Sequence, residues 1–189
     1  MPTIIGFSGS LRRGSFNAML LRAAAEVATA GTTIAIESIR DIPLYDADVE
    51  AASGVPHAAQ TLKDRIAGAD GLLIATPEYN NSVPGVAKNA IDWLSRPATD
   101  IPRVFGSKPV VVMGATSGPN GTLLAQSAWL PVFRTLGTAY WSGGRMLVPG
   151  AGKLFDAEGR LIDEPTRARL KTFIEGFAAF VDKHRQLRS

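Results

Sequence analysis

The chain has 189 residues, 46% of them hydrophobic and 20% charged, with a formal net charge of +3 and no cysteine. That composition suits a single soluble domain over 1–189, expected in the cytoplasm without a secretory leader, and so mild a charge, with no basic run beyond Arg12-Arg13, argues against nucleic acid. Disulfides, thiol chemistry and thiolate metal sites are excluded, no metal site is expected, and no apolar run reaches the roughly 18 residues of a membrane span.

Residues 3–7 form an apolar strand-like run that ends in Gly9-Ser10-Leu11-Arg12-Arg13-Gly14-Ser15-Phe16-Asn17. A helix follows over 18–28, with Met19, Leu20, Ala23, Ala24 and Val27 at helical spacing. A strand, a polar loop and a helix start together aim free N–H groups and the positive end of a helix dipole at one point, where phosphate is the usual guest. The hydroxyls of Ser10 and Ser15, the amide of Asn17 and one or two guanidinium groups add donors and countercharge. The alternative is an ordinary turn with Ser15 as N-cap. Gly6, Gly9 and Gly14 do not fit G-x-G-x-x-G. Gly9 and Gly14 have the spacing of a triphosphate loop, but Ser15-Phe16 stand where that loop requires Lys and Ser or Thr, so a terminal monophosphate fits better.

Residues 32–39 alternate as a strand, 42–48 read as an extended, proline-broken segment, and 56–68 as a helix ending at Gly68. The continuous apolar run 71–76 suits a strand covered on both faces. It is followed by the polar loop 77–82 and a helix to about Leu94, with Pro84 in its first turn. The same pattern recurs in strand 108–114, loop 115–121 and a helix over 122–136. Residues 138–141 and 145–148 form a last strand interrupted at Gly143-Gly144; 150–161 is a surface excursion turning at 156–159, and 166–183 is an amphipathic helix. Five strands alternating with helices predict a flavodoxin-like, doubly wound α/β fold with a five-stranded parallel sheet in the order 2-1-3-4-5, helices on both faces, and a ligand site beyond the carboxyl ends of strands 1 and 3.

The loop 9–17, the segment 42–48 and the run 76–85, continuing through Lys88-Asn89-Ala90-Ile91-Asp92-Trp93-Leu94-Ser95-Arg96, resemble the NADPH-dependent FMN reductase family, most closely its chromate- and quinone-reducing branch. The resemblance spans roughly the first half of the chain. It implies that Ser10, Leu11, Arg12, Gly14, Ser15, Phe16 and Asn17 hold the phosphate and ribityl chain of FMN, that Pro77, Glu78, Tyr79 and Asn80 border the isoalloxazine ring, and that Ser117 closes its other side. It further implies NADPH or NADH as electron donor, a small-molecule acceptor such as a quinone, free flavin, an azo compound or chromate, ping-pong turnover, and a homodimer or homotetramer. No catalytic side chain is expected, since the chemistry belongs to N5 of the flavin. Glu78 reads as an exposed loop carboxylate or one making a backbone contact, in preference to a proton-transfer role, His57 and His184 as surface residues, and Trp93 and Trp129 either as core or as subunit contacts. The branch's Gly-Gly-Ala-Arg run is replaced by Gly121-Thr122-Leu123-Leu124, without the arginine tied to subunit contacts. A non-catalytic FMN sensor or electron shuttle, and a nucleotide or phosphosugar binder lacking flavin, are the other classes these loops admit.

Overall fold

Short apolar runs bounded by polar loops become strands, and the periodic stretches between them become helices. In the computed structural model, which describes residues 1–187, β1 (Thr3–Ser8) leads into α1 (Phe16–Val27), β2 (Thr33–Glu37), α2 (Ala47–Ser53) and α3 (His57–Gly68). There follow β3 (Gly71–Ala75), α4 (Gly85–Leu94), α5 (Ile101–Val104), β4 (Pro109–Ala115), α6 (Leu123–Ala128), α7 (Leu130–Thr135), β5 (Ala139–Tyr140), β6 (Met146–Val148) and α8 (Glu164–Gln186). The strands pair in parallel in the order β2-β1-β3-β4-β5, with β6 also on β4, which is the expected flavodoxin-like arrangement.

Alternation along each strand divides the apolar residues between two cores. Ile4, Leu73, Val111 and Met113 join Leu20 and Leu21 of α1 and Phe173, Ile174 and Phe177 of α8 on one face. On the other, Ile5, Phe7, Leu72, Ile74, Val110 and Val112 meet Leu62, Ile66, Ile91, Leu94 and Phe133 of α3, α4 and α7. Each of these buried side chains contributes about 1.5–3 kcal/mol of transfer free energy, so the sheet is held from both sides.

The last strand is interrupted as expected, giving two short strands on one edge of β4: β5 meets Pro109 and Val110, and β6 meets Met113 to Ala115. The helix expected over 122–136 is two helices meeting at Trp129, because Pro131 lacks an N–H and its ring collides with the carbonyl of the preceding turn. The segment 42–48 is extended only as far as Asp46, whose side chain accepts from the Asp48 N–H and starts α2. The excursion 150–161 is anchored: Phe155 and Leu161 pair in a bridge and are buried against the first core. Trp93 and Trp129 are fully buried within this chain, so they are core residues.

Candidate functional site

Three loops leave the carboxyl ends of β1, β3 and β4, and specific contacts bind them together. The Gly9 N–H donates to the Ala75 carbonyl at 2.8 Å. A Cβ at Gly9 would stand 3.0 Å from both Pro77 Cδ and Pro84 Cγ and 3.2 Å from Ala87 Cβ. Only a residue without a side chain lets the first loop lie this close to the second. The Tyr79 hydroxyl, on a ring 48% exposed, donates to Ser10 Oγ at 3.3 Å. Asn17 joins the first loop to the third: its Nδ2 donates to the Ala115 carbonyl and its Oδ1 accepts from the Ala115 N–H, both at 2.9 Å and buried.

Within the first loop, Ser15 is the N-cap of α1, its Oγ accepting from the Ala18 N–H. The capping alternative therefore describes the Ser15 hydroxyl. For Asn17 the carboxamide expected to face the ligand is committed to Ala115, which leaves the backbone N–H as its available donor. The N–H groups of Arg13, Gly14, Phe16 and Asn17 meet no acceptor among the described residues. Such a set of converging N–H groups at a helix start suits a phosphate dianion. Leu11 is half-buried against the second core. The Arg12 guanidinium lies 5.3 Å from the centroid of the Phe16 ring, which in turn stacks on Phe155 at 6.0 Å. Cation–π attraction and stacking thus keep Arg12 beside the loop.

The second loop is a two-residue hairpin. Tyr79 and Ser82 exchange backbone hydrogen bonds at 3.2 and 3.1 Å, and Asn80 and Asn81 take φ of 50° and 59°. This is the left-handed conformation that Asn tolerates best among residues with side chains. Glu78 Oε2 accepts from the N–H groups of Leu124 and Ala125 at 2.8 and 3.0 Å, so the carboxylate fastens the loop to the start of α6. Behind it, Trp129 Nε1 donates to Thr76 Oγ1, which donates to the Pro77 carbonyl, so a buried network stiffens the entry to the hairpin. In the third loop Ser117 is exposed, held between Thr116, which donates to Val148, and Gly118, which accepts from Gly150.

The twelve expected residues therefore lie on three connected loops and the first turn of α1, with Asn80 acting as a turn residue. The sequence reading missed the braces. Arg40, after β2, donates from Nη2 to the Leu11 carbonyl, and Phe155 carries Phe16. Neither has a local sequence signal, because both arrive from distant segments. The carboxyl groups held below their ordinary range belong to structural pairs rather than to these loops: Glu50 by a hydrogen bond from Arg96, and Asp100 by one from Lys63. His57 is exposed, and His184 Nδ1 lies 3.0 Å from the Phe180 carbonyl. Among the described residues no group of three or more His, Cys, Asp and Glu is placed to hold a metal ion.

A donor set built from unpaired loop N–H groups at the end of β1, beside a proline-stiffened hairpin with a half-exposed tyrosine, fits a phosphate-bearing flat ring such as FMN. Ser10, Arg12 and the N–H groups of Arg13, Gly14, Phe16 and Asn17 would hold its phosphate, and residues 77–80 and Ser117 would flank the ring.

A family model described as NADPH-dependent FMN reductase matches residues 2–153. The chain is 41% identical over 177 residues to a 2-hydroxy-1,4-benzoquinone reductase of Burkholderia sp, covering 94% of each. It is 37% identical over 182 residues to a quinone reductase of Escherichia coli (strain K12), covering 95% of each. Among solved structures it is similar to FerB, a flavoenzyme NAD(P)H:(acceptor) oxidoreductase from Paracoccus denitrificans, with a TM-score of 0.87 and 33% identity over 97% of this chain and 99% of that one.

Proposed function

The chain belongs to the NADPH-dependent FMN reductase family, and from that premise we propose that it is an FMN-dependent NAD(P)H oxidoreductase passing electrons to quinones, free flavin, azo compounds or metal oxyanions such as chromate. The observation that carries this reading is the binding together of the three loops through Gly9–Ala75, Tyr79–Ser10 and Asn17–Ala115. When bound, FMN would supply the redox chemistry between a nicotinamide donor and the acceptor. The protein's share is binding, orientation and electrostatics. The first loop presents N–H groups and Arg12 to the phosphate, while the hairpin and Ser117 present backbone amides to the polar edge of the ring. Tyr79, half-exposed and tied to Ser10, would offer its ring to a flat donor or acceptor. Donor and acceptor using one exposed face in turn would give ping-pong kinetics.

We read residues 1–189 as one flavin-binding unit acting in the cytoplasm. Among the described residues no helix is long and apolar enough to cross a membrane. A homodimer or homotetramer is supported by Leu124 and Leu130, both more than 40% exposed, and by an open groove of about 400 Å³ whose walls include Ile91, Ile101, Val132 and Leu136.

The test is the visible spectrum of the purified protein under anaerobic conditions. A yellow protein bleached by NADPH or NADH, and recoloured by a quinone through many turnovers, is the expected result. A colourless preparation that fails to take up FMN overturns the proposal. A flavin reduced by light but not by either nucleotide identifies a sensor or electron shuttle instead.

A further inference from the structure

The peptide between Pro77 and Glu78 has less freedom than its place in a polar loop suggests. The pyrrolidine ring fixes φ of Pro77, and the peptide is planar and trans, so the direction of its carbonyl and N–H is set chiefly by one torsion, ψ of Pro77. A buried side chain controls that torsion. Thr76 Oγ1 donates to the Pro77 carbonyl at 3.0 Å, and Trp129 Nε1 donates to Thr76 Oγ1, also at 3.0 Å. An indole nitrogen can only donate, so the single hydrogen of the Thr76 hydroxyl is left for the Pro77 carbonyl. The hydroxyl is itself held in place. Thr76 and Trp129 are fully buried, the Thr76 N–H donates to the Met113 carbonyl at 2.8 Å, and β4 lies so close that a Cβ at Gly114 would collide with the Thr76 carbonyl oxygen.

The carbonyl and N–H of a trans peptide point in opposite directions, so a carbonyl turned towards Thr76 leaves the Glu78 N–H facing away from the buried pair. That N–H meets no acceptor among the described residues. We propose that Thr76, fixed by Trp129, is a positioning residue that aims the Glu78 N–H at the polar edge of the flavin ring and thereby raises the reduction potential of the bound cofactor. This rests on the reading of the three loops as an FMN site. A ring that has gained electrons carries more negative charge, and a hydrogen bond to a charged acceptor is roughly twice as strong as one to a neutral acceptor. The same peptide turned over would present the Pro77 carbonyl instead and oppose that charge. The Glu78 carboxylate is engaged elsewhere, on the start of α6, so backbone and side chain of one residue have separate tasks.

The experiment measures the midpoint potential of the FMN-loaded protein against a reference dye under anaerobic conditions, together with the Kd for oxidised FMN; no nucleotide is involved. Thr76→Val keeps the shape of the side chain and removes the hydroxyl. It should lower the potential by the equivalent of about a tenfold loss in the preference for reduced over oxidised FMN. Thr76→Ser keeps the hydroxyl and should restore the wild-type potential. Trp129→Phe preserves a ring to stack on Phe133 but removes the indole donor; it should shift the potential the same way by a smaller factor, and it carries the test where the valine variant does not fold. An unchanged or higher potential in Thr76→Val, or in Trp129→Phe where that variant stands in for it, overturns the assignment. So does a serine variant as low as the valine one, or an equal weakening of both oxidation states, which is what a merely structural role would give. A wild-type protein that takes up no FMN overturns the reductase reading and this assignment together, whereas variants that bind FMN at the wild-type potential overturn the assignment alone.

Discussion

Asn17 shows how one side chain fixes the distance between two loops. It is 3% exposed and satisfies both backbone groups of Ala115, so Asn17→Ala leaves a buried N–H and a buried carbonyl without partners, at a cost of about 3 kcal/mol. The expected outcome is a lower denaturant midpoint together with weaker FMN affinity; a stability loss with FMN affinity intact would mean that the clamp does not shape the flavin cradle. Glu78 poses a different question, because a carboxylate beside a redox site invites a role in proton transfer. Its Oε2 is held by the N–H groups of Leu124 and Ala125, and a glutamine oxygen can accept the same two bonds. Glu78→Gln should therefore keep turnover and the pH–rate profile near the wild type, whereas Glu78→Ala should lose about 1 kcal/mol of stability through the uncapped start of α6. A fall of about a hundredfold in turnover for the glutamine variant, with its stability unchanged, would mark Glu78 as a proton donor or acceptor.

At the scale of elements, the hairpin 79–82 presents the edge proposed to meet the ring, and its conformation depends on Asn80 and Asn81 at positive φ. Valine at either position costs about 1–2 kcal/mol in the left-handed region, so Asn80→Val or Asn81→Val should loosen the hairpin and speed FMN loss. Asn81→Gly should retain FMN as the native chain does, and flavin release followed by fluorescence separates the cases. Such a turn was legible as a polar loop in the sequence, and so was the strand order, because 71–75 and 109–115 are apolar throughout and can only be central strands. Elements without an apolar face were harder to read. None of the residues of α2 is buried, so no periodicity announces it, and Asp46 as N-cap is its only local signal. The site divides in the same way: Ser, Arg, Gly and Asn in the loops carry local chemistry, whereas Arg40 and Phe155 matter through contacts that only the fold creates.

For the molecule as a whole, α2 is the piece held by polar contacts instead of a core. Arg96 Nε meets both Glu50 oxygens at 2.9 and 2.8 Å, Tyr45 donates to Glu50, and Trp93 and Asn89 donate to the Pro43 carbonyl, fastening 43–50 to α4. The hydrogen bond from Arg96 holds the Glu50 carboxyl below its ordinary range, with Tyr45 adding to the effect. Asp64, Asp100, Asp156 and Asp163 are lowered as well, first by Gln60, Lys63, the Arg160 backbone and Thr166 respectively. Each of these groups binds its proton more weakly when folded than when unfolded, so stability rises with pH through the carboxylate range. Their contribution is complete above the unfolded values near about pH 4 and is lost as pH falls through the folded ones. The melting temperature should accordingly fall between pH 6 and pH 3, and high salt should reduce the part due to exposed pairs. Because α2 has no buried residue to hold it once Glu50 is protonated, amide exchange over 43–53 should accelerate before that of β3 and β4 as the pH drops. In Glu50→Gln the same segment should exchange fast already at pH 6, and its exchange should respond less to acid once the intrinsic pH dependence is removed. If the segment instead opens together with β3 and β4 at every pH, the Arg96–Glu50 pair is not what fastens it.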